Sequence, residues 1–116
     1  VSLGANWNYD TDEVRFNYQS MVRPNTVYAA KLATGERTAI KQQEVIGFNP
    51  DLYRAERVWA VARDGVKIPL SIVYRADLDR SQPQPFWLYG YGSYGISMPV
   101  TFSSNRVSLL DRGVIF

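Results

Sequence analysis

The sequence predicts a mostly β fold, and three observations carry that reading. Glu13 to Ser20 alternates, with Val14, Phe16 and Tyr18 on one face and Arg15, Asn17 and Gln19 on the other. That period of two marks a half-buried antiparallel strand. Turn residues then recur at about ten-residue intervals, the spacing of a β meander in a propeller blade or barrel. Further on, Asp64-Gly65 stands between two more alternating runs, a hairpin signal.

Taken in order, Asn8 to Asp12 reads as a loop leading into the first strand. Pro24-Asn25 supplies a turn, because Pro presets φ and Asn tolerates tight conformations. Thr26 to Leu32 is the second strand, and Ala33 to Glu36 closes a hairpin into Arg37 to Gln42. Glu44 to Tyr53, with Gly47 and Pro50, has no clear period and reads as a crossing between two units. Arg57 to Arg63 then alternates, with Trp59 and Val61 opposed to Val58, Ala60 and Ala62. Val66 to Tyr74 is its partner, and Pro69 marks an edge position or a bulge.

Phe86-Trp87-Leu88, introduced by Pro83 and Pro85, reads as a short buried strand through Tyr89. Ser103-Ser104-Asn105 caps a short helix that runs through Asp111 and stops at Gly113. Val114-Ile115-Phe116 opens another apolar strand. The chain enters and leaves in mid-pattern, so it reads as a piece of a longer polypeptide.

Hydrophobic content of 46% and aromatic content of 14% support a packed core. Thirteen basic against eleven acidic residues leave +2, too balanced to point to nucleic acid or an anionic membrane. No apolar run approaches the roughly 18 residues of a membrane span. There is no Cys and no His. The absence of Cys removes disulfides and thiolate metal sites and fits a reducing compartment. The carboxylates form no ligand-spaced cluster, so neither a metal nor a cofactor is expected.

The richest stretch is Leu88-Tyr-Gly-Tyr-Gly-Ser-Tyr-Gly95. It places aromatics with polar tips on a glycine turn at a strand end, where open α/β sheets bind ligands. Gly90-x-Gly92-x-x-Gly95 matches a dinucleotide fingerprint in letters only, because no helix N-terminus follows to hold a pyrophosphate. Tyr91 to Gly95 falls one glycine short of a nucleophile elbow, and no His exists to deprotonate Ser93. Tyr91 has the better claim, because a phenol above a strand end can donate to an oxyanion. The alternative is a core or rim tyrosine whose hydroxyl finds a backbone partner. The same alternative faces Tyr94, whose functional reading is the lining of a subsite.

That stretch, with Phe102-Ser-Ser-Asn-Arg106 and Leu109-Leu-Asp-Arg-Gly113, resembles oligopeptidase B of the prolyl oligopeptidase family. Leu32-Ala-Thr-Gly-Glu36, Lys41-Gln-Gln-Glu-Val45, Glu56-Arg-Val-Trp-Ala60 and Ala62-Arg-Asp-Gly65 agree with it. The likeness runs from about Leu3 to Phe116.

The resemblance implies a seven-bladed β-propeller packed on an α/β-hydrolase domain. Residues 1–50 would be the last propeller strands and residues 51–116 the first hydrolase strands. It implies a cytoplasmic serine peptidase that cuts short peptides after Arg or Lys, without cofactors. Tyr91 would be the oxyanion-hole donor and Tyr94 a substrate-binding residue. The catalytic Ser, Asp and His, and the acidic residues that select a basic side chain, would lie outside these 116 residues. The segment alone would then be inactive, its partners being peptides and the rest of its own polypeptide. Some members carry acidic residues after the tyrosine motif. Pro99 and Thr101 stand there instead, which implies no strong dibasic preference. A reading from a different class is a non-catalytic β-rich interaction module, favoured by the missing His.

Overall fold

The computed structural model describes residues 1–116. It contains a four-stranded antiparallel sheet in the order β1-β2-β3-β4 and a separate antiparallel pair, β5-β6. The first sheet comprises β1 (Ser2–Leu3), β2 (Glu13–Ser20), β3 (Arg23–Lys31) and β4 (Arg37–Gln42). A 3-10 turn at Pro50–Leu52 leads into β5 (Tyr53–Val61), followed by β6 (Lys67–Arg75) and one helix, α1 (Ser104–Leu110). That helix is too short to cross a membrane.

Glu13 to Ser20 became a strand where the period predicted it, whereas the run expected over Arg57 to Arg63 starts four residues earlier, at Tyr53, and ends at Val61. Phe16 stacks on Tyr28 at 5.5 Å across β2 and β3, and Tyr18 meets the same ring edge-on at 6.4 Å. Such cross-strand aromatic pairs lock register. Between β5 and β6, Asp64-Gly65 turns the chain with Gly65 at φ 85°, a conformation that favours glycine. The pair is in unbroken register from Tyr53 opposite Arg75 to Val61 opposite Lys67.

Pro24-Asn25 is not a turn. The hairpin turns at Met21-Val22, and Pro24 lies inside β3. Tyr18 pairs with Thr26 and Ser20 with Arg23, so Pro24 and Asn25 together oppose the single residue Gln19. That is a β-bulge, the place in a strand where a residue without an N–H is tolerated. The strand β1 was also not foreseen. It pairs Ser2 with Asn17 and Leu3 with Phe16.

The run Phe86 to Tyr89 is not a buried strand either. It makes one parallel bridge, Phe86 to Ile115, and Trp87 remains 53% exposed. A parallel strand becomes buried only when neighbours and covering layers flank it. Here the sole neighbour is the final three residues. Trp87 N–H donates to Ile115 O at 2.8 Å, and Ile115 N–H donates to Pro85 O at 2.9 Å. Phe116 in turn exchanges both backbone bonds with Val73, at 2.8 and 3.0 Å. Backbone hydrogen bonding therefore continues from β5 through β6 and residues 114–116 to residues 85–87.

The helix starts at the expected Ser103, although no side-chain cap bond forms there. It ends before Gly113, which takes φ 81°. Its Leu110 is buried with Met21, Tyr53 and Val73. Met21 comes from the β2–β3 turn, so the first sheet reaches into the core beneath the second. Phe48 stacks on Tyr53 at 5.3 Å and meets Phe102 edge-on at 4.9 Å, sealing the margin of that core.

Candidate active site

Beyond the Phe86 bridge the chain leaves regular structure and carries Tyr89 and Tyr91 along a concavity of about 970 Å³. One wall is β6, through Ile68, Leu70 and Ile72; the facing walls are residues 86–91 and 96–101. Arg106 and Leu109 close it from α1. An apolar concavity with few polar groups is the usual form of a binding site. Tyr91 stands in its wall and is 49% exposed, so it is not a core tyrosine.

Tyr94 is placed differently. It is 91% exposed and is not among the residues that line the concavity. It also holds φ 58°, the one non-glycine residue in the left-handed region. The tight turn expected of the glycines falls on Tyr94 and Gly95, the latter at φ 67°, whereas Gly90 and Gly92 do not take positive φ. Local strain of this kind costs about 1–3 kcal/mol and persists where surrounding structure imposes it.

The charges around the concavity are cationic. Arg57 and Arg106 line it and no carboxylate does. The Arg106 guanidinium lies 4.1 Å over the Phe116 ring and donates to Thr101 O at 3.0 Å. Its burial lowers its proton affinity from the ordinary arginine value. No group of three or more His, Cys, Asp and Glu side chains converges into a metal-holding arrangement.

Two polar clusters brace this region. In the first, Tyr53 donates to Asp111 at 2.7 Å, while Arg75 grips Asp77 in a two-pronged pair at 2.8 and 2.9 Å and reaches Asp111 at 3.3 Å. Burial, then the Asp111 hydrogen bond, pushes the Tyr53 hydroxyl up to about 12. The Arg75 hydrogen bonds hold Asp77 below the usual carboxylate range. In the second cluster, Glu56 accepts from Tyr74 at 2.8 Å and from Arg80 at 2.6 Å. The Tyr74 bond is the main reason that the Glu56 carboxyl is lowered, and the Glu56 bond raises Tyr74. The two partners of Asp111 lie 36 and 58 positions away in the chain, a separation that leaves no local signal in the sequence.

With this geometry in view, the relatives are informative. Residues 1–43 match the model of the prolyl oligopeptidase N-terminal β-propeller domain. A dipeptidyl aminopeptidase BI from Pseudoxanthomonas mexicana is 50% identical over all of this chain, which spans 16% of that relative. The chain thus resembles peptidases of the prolyl oligopeptidase family along its whole length. Oligopeptidase B from Leishmania major superposes with a TM-score of 0.82 at 48% identity, over 94% of this chain and 15% of that one. Oligopeptidase B from Trypanosoma brucei, with covalently bound antipain, gives 0.81 at 40% identity, over 93% of this chain and 15% of that one. The expected likeness to oligopeptidase B and the mostly β character therefore hold, and residues 1–43 are propeller in kind.

Proposed function

We propose that the protein bearing this segment is a serine peptidase of the oligopeptidase B type, cutting short peptides after Arg or Lys. In this reading residues 1–50 end the propeller and residues 51–116 begin an α/β-hydrolase domain. The observation that carries it is the parallel bridge between Phe86 and Ile115, with α1 lying between them in the chain. In this reading the bridge begins a β-α-β unit, and Tyr91, five residues after Phe86, lies past the carboxyl end of its first strand. Active sites of open α/β sheets gather at that end.

The Tyr91 hydroxyl then donates to the oxyanion of the tetrahedral intermediate. A single such donor is typically worth ~2.7–4 kcal/mol of transition-state stabilisation. Tyr94, on the outer rim, meets the peptide once it spans the loop. The nucleophile and its base come from elsewhere in the polypeptide, so residues 1–116 alone are inactive. The absence of carboxylates from the concavity fits a selection for basic side chains made by residues outside this segment. A cytoplasmic location belongs to the same reading. Likeness to peptidases over the whole chain weighs against the interaction-module alternative.

The test is an assay of the full-length protein on peptides that differ at a single cleavage position. Cleavage after Arg and Lys, abolished by a serine-directed phosphonate, is expected. Cleavage after Pro alone, or activity indifferent to the phosphonate, would refute the reading. The name of the 50% identical relative favours a second outcome, release of dipeptides from the amino end. Product masses decide between the two.

A further inference from the structure

Ser97 to Thr101 forms the loop wall of the concavity beside Tyr91, yet no N–H or C=O group from Ser97 to Phe102 enters a backbone–backbone hydrogen bond. Two side chains hold it instead. Arg106 donates to Thr101 O at 3.0 Å from the α1 side. From the other side, Phe102 N–H donates to Gln19 Oε1 at 3.3 Å, a contact between residues 83 positions apart. Pro99, Val100 and Thr101 are a thin partition. One side of it faces the Tyr91 concavity, and the other faces a polar recess of about 730 Å³ lined by Asn17, Gln19, Ser20 and Asn25.

Gln19 is the single residue opposed by Pro24 and Asn25 at the β2–β3 bulge. Bulges bend a strand and re-aim its side chains, often next to functional sites. This bulge sits two residues before Met21, whose side chain is anchored in the core with Tyr53, Val73 and Leu110. The position of Gln19 is therefore fixed relative to β6 by packing. The loop it holds has one apolar anchor of its own, the Phe102 ring edge-on to Phe48 at 4.9 Å.

We propose that Gln19 is a positioning residue: through Phe102 N–H it holds the Ser97–Thr101 wall in place, so that the four-stranded sheet sets the shape of the peptide pocket. This rests on the peptidase reading above. Arg106 is the opposing clamp. The arrangement couples the first sheet to the site without any residue of that sheet touching the reacting atoms.

The test uses the full-length protein and two variants. Gln19→Met keeps the length of the side chain and removes the acceptor; Gln19→Glu keeps an acceptor. Gln19→Met should speed amide exchange in the peptide containing Phe102 and raise KM about two- to tenfold, the worth of one hydrogen bond, with kcat little changed. Gln19→Glu should restore both. Unchanged exchange in Gln19→Met would overturn the proposal, as would faster exchange with unchanged KM, or a Gln19→Glu protein that behaves like Gln19→Met. The exchange measurement needs no peptidase activity. A protein that cleaves no peptide while Gln19→Met still loosens Phe102 would refute the peptidase reading, and with it the pocket role of Gln19. Normal cleavage with unchanged exchange would refute Gln19 alone.

Discussion

Tyr53 donates its hydroxyl proton to the Asp111 carboxylate at 2.7 Å, tying the first residue of β5 to the residue that caps α1. Both ends of the second unit meet at this bond. Burial and the bond together hold the phenol neutral up to about pH 12. The folded value lies above the ordinary 10, so the contribution to stability is fully present below pH 10 and disappears as pH rises through 12. Tyr53→Phe in the full-length protein should therefore lose stability at neutral pH by about 1–2 kcal/mol. It should also show a shallower decline than the parent between pH 10 and 12. Parallel declines in thermal melts across that range would contradict the assignment.

At the acid end the Glu56 cluster acts in the opposite sense. Glu56 is depressed by the Tyr74 hydrogen bond, so its contribution is present above the ordinary carboxylate value of 4.5 and is lost as pH falls through the lowered value. Glu56→Gln should remove that part of the acid dependence. Melting temperatures of parent and variant are expected to converge as pH falls through that lowered value.

Met21 tests whether the two sheets share a core. It is buried against Tyr53, Val73 and Leu110 although it belongs to a turn of the first sheet. Met21→Ala should cost about 2–5 kcal/mol, the range for truncating a buried methionine. A loss below half a kcal/mol in denaturant unfolding would mean that the turn does not pack there.

Tyr94 separates strain from recognition. Its φ of 58° disfavours any residue with a Cβ. Tyr94→Gly should stabilise the protein by about 1 kcal/mol and at the same time raise KM, because the aromatic rim is lost. Stabilisation without a change in KM would remove Tyr94 from the substrate path.

How much of this could be read from the sequence follows from what kind of interaction each element depends on. The strands over Glu13 to Ser20 and Arg37 to Gln42, and the hairpin at Asp64-Gly65, rest on local alternation and turn chemistry, and each stands where the pattern put it. Pro24-Asn25 misled because Pro and Asn suit a bulge as well as a turn, and the real turn at Met21-Val22 carries no Gly, Pro or Asn. Phe86 to Tyr89 misled because apolar content signals burial only where neighbours exist. Tyr91 could be singled out from its glycines, but the loop wall beside it depends on Gln19 and Arg106. The Gln19 contact, 83 positions away from Phe102, has no signature in a single chain.

The role of Tyr91 is tested most directly by the kcat of a Tyr91→Phe variant of the full-length protein, measured at saturating peptide. Removing one oxyanion donor should lower kcat about 100- to 1000-fold while KM stays within about twofold. A kcat equal to that of the parent would contradict the account, because it would mean that no charge develops against this hydroxyl in the transition state.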